Sequence, residues 1–174
     1  NKQLESIAQN FVHTMQSLFN KDLESVILFG SGATDDYEQG VSDLNFLVIL
    51  NDSGMQSIDK VQPFIRRWSG NKISTPLFMT QSYVKASLDS FPIEFLNIQQ
   101  SYTVLLGDDV LKDLKIDKKD LRLQIEREVK GNLLKLRQGF VETEGRSKMI
   151  RTLISESLTS FVSIFRALLT FDTK

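Results

Sequence analysis

The sequence predicts an α/β (α+β) fold: a mixed β-sheet with flanking helices, followed by a C-terminal helical region. Three observations carry this. Short apolar runs rich in β-formers, residues 25–29 and 44–50, alternate with helical apolar spacing. Strand-like runs stop after Asp117, where apolar residues recur only at three- and four-residue intervals. No Gly/Pro/Ser-rich linker separates the two textures. The expected division is therefore an α/β domain over 1–116 and a helical region over 117–174, packed together.

The elements follow in order. Leu4, Ile7, Ala8, Phe11, Val12, Met15, Leu18 and Phe19 define an amphipathic first helix. Ser25-Val26-Ile27-Leu28-Phe29 reads as a buried strand entering a turn at Gly30-Ser31-Gly32. A polar loop, 33–42, leads to a second strand over 44–50, which Asn51-Asp52-Ser53-Gly54 ends. Residues 55–68 read as a helix that Pro63 kinks or restarts. A strand is predicted over 73–79, and Thr80 is placed to cap a short helix ending near Leu88. Period-two alternation predicts a strand over 93–98, and another follows at 102–106, closed by Gly107-Asp108-Asp109. Asp108 and Asp109 are expected to cap the next helix. Asp117 is a plausible N-cap for a long helix through Phe140, Gly145 breaks it, and a second long helix runs from Met149.

Composition bounds the chemistry. The 174 residues include no cysteine, which excludes disulfides, thiolate zinc sites and a cysteine nucleophile. Cysteine-free composition fits a cytoplasmic location. One histidine, His13, gives little support to a Ser-His-Asp mechanism and reads as a surface residue. Net charge is −1, so broad electrostatic binding to nucleic acid or to a membrane is not expected. No uninterrupted apolar run approaches the ~18 residues of a membrane span. The chain starts without Met and ends in a helical stretch with no stop signal, so more protein is expected around it.

The chemistry-bearing segment lies between Gly30 and Asn45. A buried strand delivers Gly30-Ser31 at its end, where glycine permits close approach and free N–H groups can nest an anion. Asp43 and Asn45 flank Leu44, so alternation directs both oxygen-bearing side chains to one face. Hard oxygen ligands beside a phosphate-binding turn suit Mg²⁺ shared with substrate phosphates. Arg66, Arg67, Lys135, Arg137, Arg146, Lys148 and Arg151 are candidates for a phosphate clamp, though solvated helix faces explain them more simply.

Val26-Ile27-Leu28-Phe29-Gly30-Ser31 followed by Ser42-Asp43-Leu44-Asn45 resembles the fingerprint of the nucleotidyltransferase superfamily typified by DNA polymerase β and the aminoglycoside nucleotidyltransferases. The resemblance covers residues 20–107 in order and texture. The helical tail is similar in kind to the helical partner domain of the aminoglycoside enzymes. It implies a nucleoside triphosphate held at Gly30, Ser31 and Ser42, and Mg²⁺ on Asp43, Asn45 and a third acid. Glu94, alone among apolar neighbours on an expected strand beside the second, matches that acid. Asp43 and Glu94 become the catalytic pair, and Glu94 completes the metal site or deprotonates the acceptor.

The departure is Asn45, where the family pattern has Asp or Glu. A neutral amide weakens Mg²⁺ binding and leaves phosphate charge less neutralised. Three functions stay open. The first is transfer of a nucleoside monophosphate to a hydroxyl on a small molecule or a protein, weak or lost through Asn45. The second is an inactive nucleotide-binding or regulatory module. The third is an interaction protein of toxin–antitoxin type, or a homodimer, using the apolar last helix around Phe161, Phe165 and Leu169; core packing is the simpler account of that helix.

Overall fold

The computed structural model describes every residue except Asn1, Asp36, Gln39, Thr173 and Lys174, and the side chains of residues 170–172. The chain forms two compact units: Asn1–Ala86 with Ile98–Leu114, and Ser87–Asn97 with Lys115–Lys174. The first contains the sheet. The second is helical, and it takes in Ser87–Asn97 from the middle of the sequence.

In the first unit, helix α1 (Lys2–Phe19) leads to strand β1 (Leu23–Phe29), and β2 is Asn45–Leu50. Strand β3 (Leu77–Met79) and strand β4 (Tyr102–Gly107) complete a sheet ordered β3-β2-β1-β4. β1 is antiparallel to β2 and β4, while β2 and β3 are parallel. The sheet is mixed, as the sequence predicts.

Side-chain alternation assigns the two faces of the sheet. Val26, Leu28, Phe46 and Val48 pack with Phe11, Met15 and Phe19 of α1 in one buried cluster. Phe11 stacks on Phe46 with ring centroids 4.0 Å apart, and Trp68 closes on Phe11 at 5.2 Å. Ile27, Leu47 and Ile49, on the other face, are also fully buried. Both central strands are therefore covered on both faces, which explains their continuous rather than alternating hydrophobicity.

Several expected elements change form. Residues 55–68 are three pieces instead of one helix: α2 (Asp52–Met55), a 3₁₀ stretch Ile58–Phe64 and α3 (Ile65–Gly70). Pro63 lies inside the 3₁₀ stretch, where its missing N–H and ring restrict a continuous α-helix. The strand expected over 73–79 shrinks to Leu77–Met79, plus a single bridge between Ile73 and Leu44. Pro76 carries no N–H to pair, and the ladder starts just after it. Thr80 caps α4 (Gln81–Ala86), its hydroxyl accepting the Tyr83 N–H at 3.1 Å.

The largest correction concerns residues 93–98. They form helix α5 (Pro92–Gln100), not a strand. Pro92 occupies the first helical position, which suits its fixed φ. The next free N–H, that of Ile93, donates to the buried Gln124 side chain at 2.8 Å. This cap comes from α6 (Lys118–Glu142), so local alternation had no access to it.

In the helical unit, Asp117 caps α6 by accepting the Lys119 N–H at 2.7 Å. Glu144 and Gly145 adopt left-handed φ of 51° and 76°, reversing the chain into α7 (Ser147–Asp172). A Cβ on Gly139 would lie 2.6 Å from Leu153 Cδ1, so glycine lets the two long helices close. Ile164 and Ala167 of α7 join Ile93, Leu121 and Ile125 in this unit's core. Asp109 does not cap a helix; its carboxylate accepts the N–H groups of Leu111 and Lys112, both at 3.1 Å, in a turn. Ser147–Leu169 is long and apolar enough to cross a membrane by length and composition, with only 11% of its apolar window buried. Lys148, Arg151, Glu156 and Arg166 interrupt it, so its apolar run is not continuous.

Candidate functional site

β1 ends at Phe29, and the chain turns through a 3₁₀ stretch, Gly30–Ala33. Gly30 has φ of +74°, a conformation that costs an L-residue about 1–2 kcal/mol. Its N–H donates to the Ser101 carbonyl at 2.9 Å, which pins the turn to the chain entering β4. The Ser31 carbonyl accepts both the N–H and the hydroxyl of Thr34, each at 3.2 Å. Gly32 is buried, and a Cβ there would lie 2.8 Å from Leu44 Cδ2 and 3.2 Å from Leu28 Cδ1. The second glycine is thus a packing requirement, which the sequence reading missed; the Gly-Ser-Gly triplet itself was the signal.

Asn45 opens β2 directly opposite Phe29. Its Nδ2 lies 3.4 Å from where a Gly30 Cβ would sit, so the amide and the turn are neighbours. Ser42 closes the polar loop: its hydroxyl accepts the Glu38 N–H at 3.1 Å, and its own N–H donates to the Glu38 carbonyl at 2.8 Å. Asp43 is exposed. The backbone beyond it is fixed, because the Leu44 N–H donates to the Lys72 carbonyl at 2.7 Å and the Leu44 carbonyl accepts from Ser74 at 3.0 Å.

Open space is divided around these residues. A cleft of about 790 Å³ is lined by Gly32, Ala33, Thr34, Tyr37, parts of α1 and Thr103–Leu105 of β4. Asp43 lines a smaller depression of about 180 Å³ with Trp68 and Lys72. Gly30 and Ser31 line neither. The glycine turn and Asp43 therefore share neither of these two hollows.

Glu94 departs furthest from expectation. It sits on the exposed side of α5, in the helical unit, and its Oε2 accepts from Gln124 Nε2 at 2.8 Å. The place beside β2 belongs to β3, whose residues Leu77, Phe78 and Met79 carry no acid. Among the described residues no three Asp, Glu or His side chains gather as a metal cluster. His13 is exposed on α1.

The sheet, its glycine turn and the helical unit define a fold of nucleotidyltransferase type. Among solved structures, the chain is similar to spectinomycin adenyltransferase AAD(9) from Enterococcus faecialis, crystallised with ATP and spectinomycin. The TM-score is 0.51 at 13% identity, and the match covers 99% of each chain. At that identity the likeness is one of fold. No family model matches the sequence, and no curated protein matches it significantly.

Proposed function

We propose that this chain is a nucleotidyltransferase-like, nucleotide-binding protein whose transfer chemistry is weakened at Asn45. The observation that carries the reading is the Gly30 turn, anchored by Ser101, with the Asn45 amide against it at the end of the two central strands. The phosphates of a nucleoside triphosphate lie over Gly30-Ser31 in this reading, and the Ser31 hydroxyl donates to them. The structural neighbour, solved with ATP, supports a nucleotide ligand.

The donor set fits one Mg²⁺ and not two. Asp43 supplies a carboxylate and Asn45 a neutral carbonyl, and Mg²⁺ accepts one or two carboxylates when nucleotide phosphates complete its shell. A bound ion would supply charge neutralisation at the phosphates. In transfer, an acceptor hydroxyl attacks the α-phosphorus and pyrophosphate leaves. The acceptor is a small molecule or a protein side chain. Such catalysis rests on positioning and electrostatic stabilisation, so a missing anionic ligand lowers its rate.

Calorimetry with ATP, GTP, CTP and UTP, with and without Mg²⁺, tests the binding. Pyrophosphate release with a panel of hydroxyl acceptors tests the chemistry. Measurable binding at Gly30-Ser31 with little turnover is expected. Robust turnover by the native chain, abolished in Asp43→Ala, overturns the weakened-site reading. Absence of binding by all four nucleotides overturns nucleotide recognition itself.

A second reading, a binding module with no transfer, is favoured by one observation: Glu94 lies on helix α5 with its carboxylate engaged by Gln124, and β3, the strand beside β2, carries no acid. Failure of Asn45→Asp to raise turnover, with binding intact, selects it.

A further inference from the structure

Exposed apolar side chains concentrate on the long helices of the helical unit. On α7, exposed Ile154, Leu158, Phe165 and Leu168 and half-buried Phe161 recur at intervals of four, three, four and three. That is the seam spacing of paired helices. Ile154, Leu158 and Phe165 are 57%, 59% and 54% exposed, and Phe161 and Phe165 stack with centroids 6.0 Å apart. By helical geometry the stripe lies about a third of a turn from the face that Ile164 and Ala167 bury. It is thus a second apolar face, left over after α7 has packed into its own unit.

The groove on the other side of the hairpin is mixed, lined by Leu136 and Leu153 together with Asn132, Lys135, Glu156 and Ser160. Leu133 and Phe140 of α6 are exposed and, by the same helical geometry, flank the apolar side. With Val162 and Leu169, which are also exposed beside this stripe, α7 offers on the order of 600 Å² of apolar surface, and Leu133 and Phe140 bring the patch to about 800 Å². A monomer's largest patch seldom exceeds about 600 Å², and a stable dimer buries about 800 Å² per partner.

We propose that this face is the seat of a second copy of the chain, with α7 pairing antiparallel to its counterpart across a two-fold axis near Phe161. Reversal about Phe161 sets Ile154 opposite Leu168 and brings Leu158 within one residue, about 1.5 Å along the axis, of Phe165, so apolar meets apolar along the seam. An isologous contact needs this self-complementarity. A lipid bilayer fits less well. A spanning α7 would carry Glu156 and Arg166 into hydrocarbon, and its inner face is already packed against Ile93, Leu121 and Ile125.

Sedimentation velocity on the full chain from ~1 to ~100 µM is expected to show a species of twice the 19.8 kDa chain mass. A monomer throughout overturns the proposal. Leu158→Glu with Phe165→Glu is expected to abolish the dimer while far-UV helicity stays unchanged; a persisting dimer overturns the seam. Because the chain has no cysteine, cross-linking gives a second, independent reading. Phe161→Cys is expected to form a covalent dimer on mild oxidation, whereas Ile154→Cys does so only when combined with Leu168→Cys. Efficient cross-linking of Ile154→Cys alone overturns the antiparallel register. Retention of monomeric chain on phosphatidylcholine/phosphatidylserine vesicles, with no dimer in their absence, assigns the face to lipid and overturns the proposal.

Discussion

At the scale of single residues, Asn45 and Gly30 make the sharpest predictions. Asn45 faces the turn with a neutral amide where a carboxylate would bind Mg²⁺ more strongly. Asn45→Asp is therefore expected to tighten Mg²⁺ binding measured by titration, and superimposable curves would remove position 45 from the ligand set. Loss of one strong electrostatic contact in such sites costs ~2.7–4 kcal/mol, or ~10²–10³ in rate. Turnover gained by Asn45→Asp should stay within that range. Gly30 is held at a φ of +74° by its bond to Ser101. Gly30→Ala is expected to lower stability by about 1–2 kcal/mol, read from the urea midpoint, because an alanine Cβ is strained there even where space exists. An unchanged midpoint would show that the turn relaxes freely.

Tyr102 adds a pH dependence. Partial burial, and then its hydrogen bond at 3.0 Å to the Asp109 carboxylate, raise its phenol above the usual value. The folded chain then holds this proton more tightly than the unfolded one. The associated stability is fully present below the ordinary phenol pKa of ~10 and is lost as pH rises through the higher folded value. Denaturation midpoints taken across that alkaline window should fall more steeply for the native chain than for Tyr102→Phe. Parallel slopes would contradict the assignment.

At the scale of elements, α5 shows how a distant side chain chooses a local structure. Gln124 is buried, accepts the Ile93 N–H and donates to Glu94. Gln124→Ala leaves that N–H unsatisfied near the core, at a cost of about 1–3 kcal/mol. Chemical denaturation should show this loss, with amide exchange accelerated at the start of α5. Full retention of stability and protection would mean that Pro92 and the apolar packing of Phe95 suffice to set the helix. The hairpin of α6 and α7 is locally encoded by comparison: Asp117 caps one end, and Glu144-Gly145 turns the chain at the other.

At the scale of the whole molecule, the nucleotide reading carries a linkage prediction. A ligand that binds only the folded chain stabilises it by about 2.7 kcal/mol at a hundredfold excess over Kd. Saturating nucleotide with Mg²⁺ is expected to raise Tm, and Ser31→Ala to reduce the rise at a fixed subsaturating concentration. An equal rise for both chains would place the nucleotide away from the Ser31 hydroxyl.

Sequence alone determined the features encoded within a few residues of themselves. The continuous apolar runs and β-formers of 25–29 and 44–50 dictated the central strands, Gly30 the turn that ends the first of them, and Asp117 and Thr80 their caps. These outcomes depend on propensity and on hydrogen bonds a few residues long, so the local pattern contains their cause. Tertiary structure decided what depends on distant partners. Glu94 left the sheet because a side chain thirty positions away caps its helix, and β3 took the place expected for it. Gly32 proved to be a packing glycine only when Leu44 was brought against it. The apolar residues of α7 divided into one buried face and one exposed face, a partition that a hydrophobic pattern cannot make, because burial is a property of what packs against a residue and not of the residue itself.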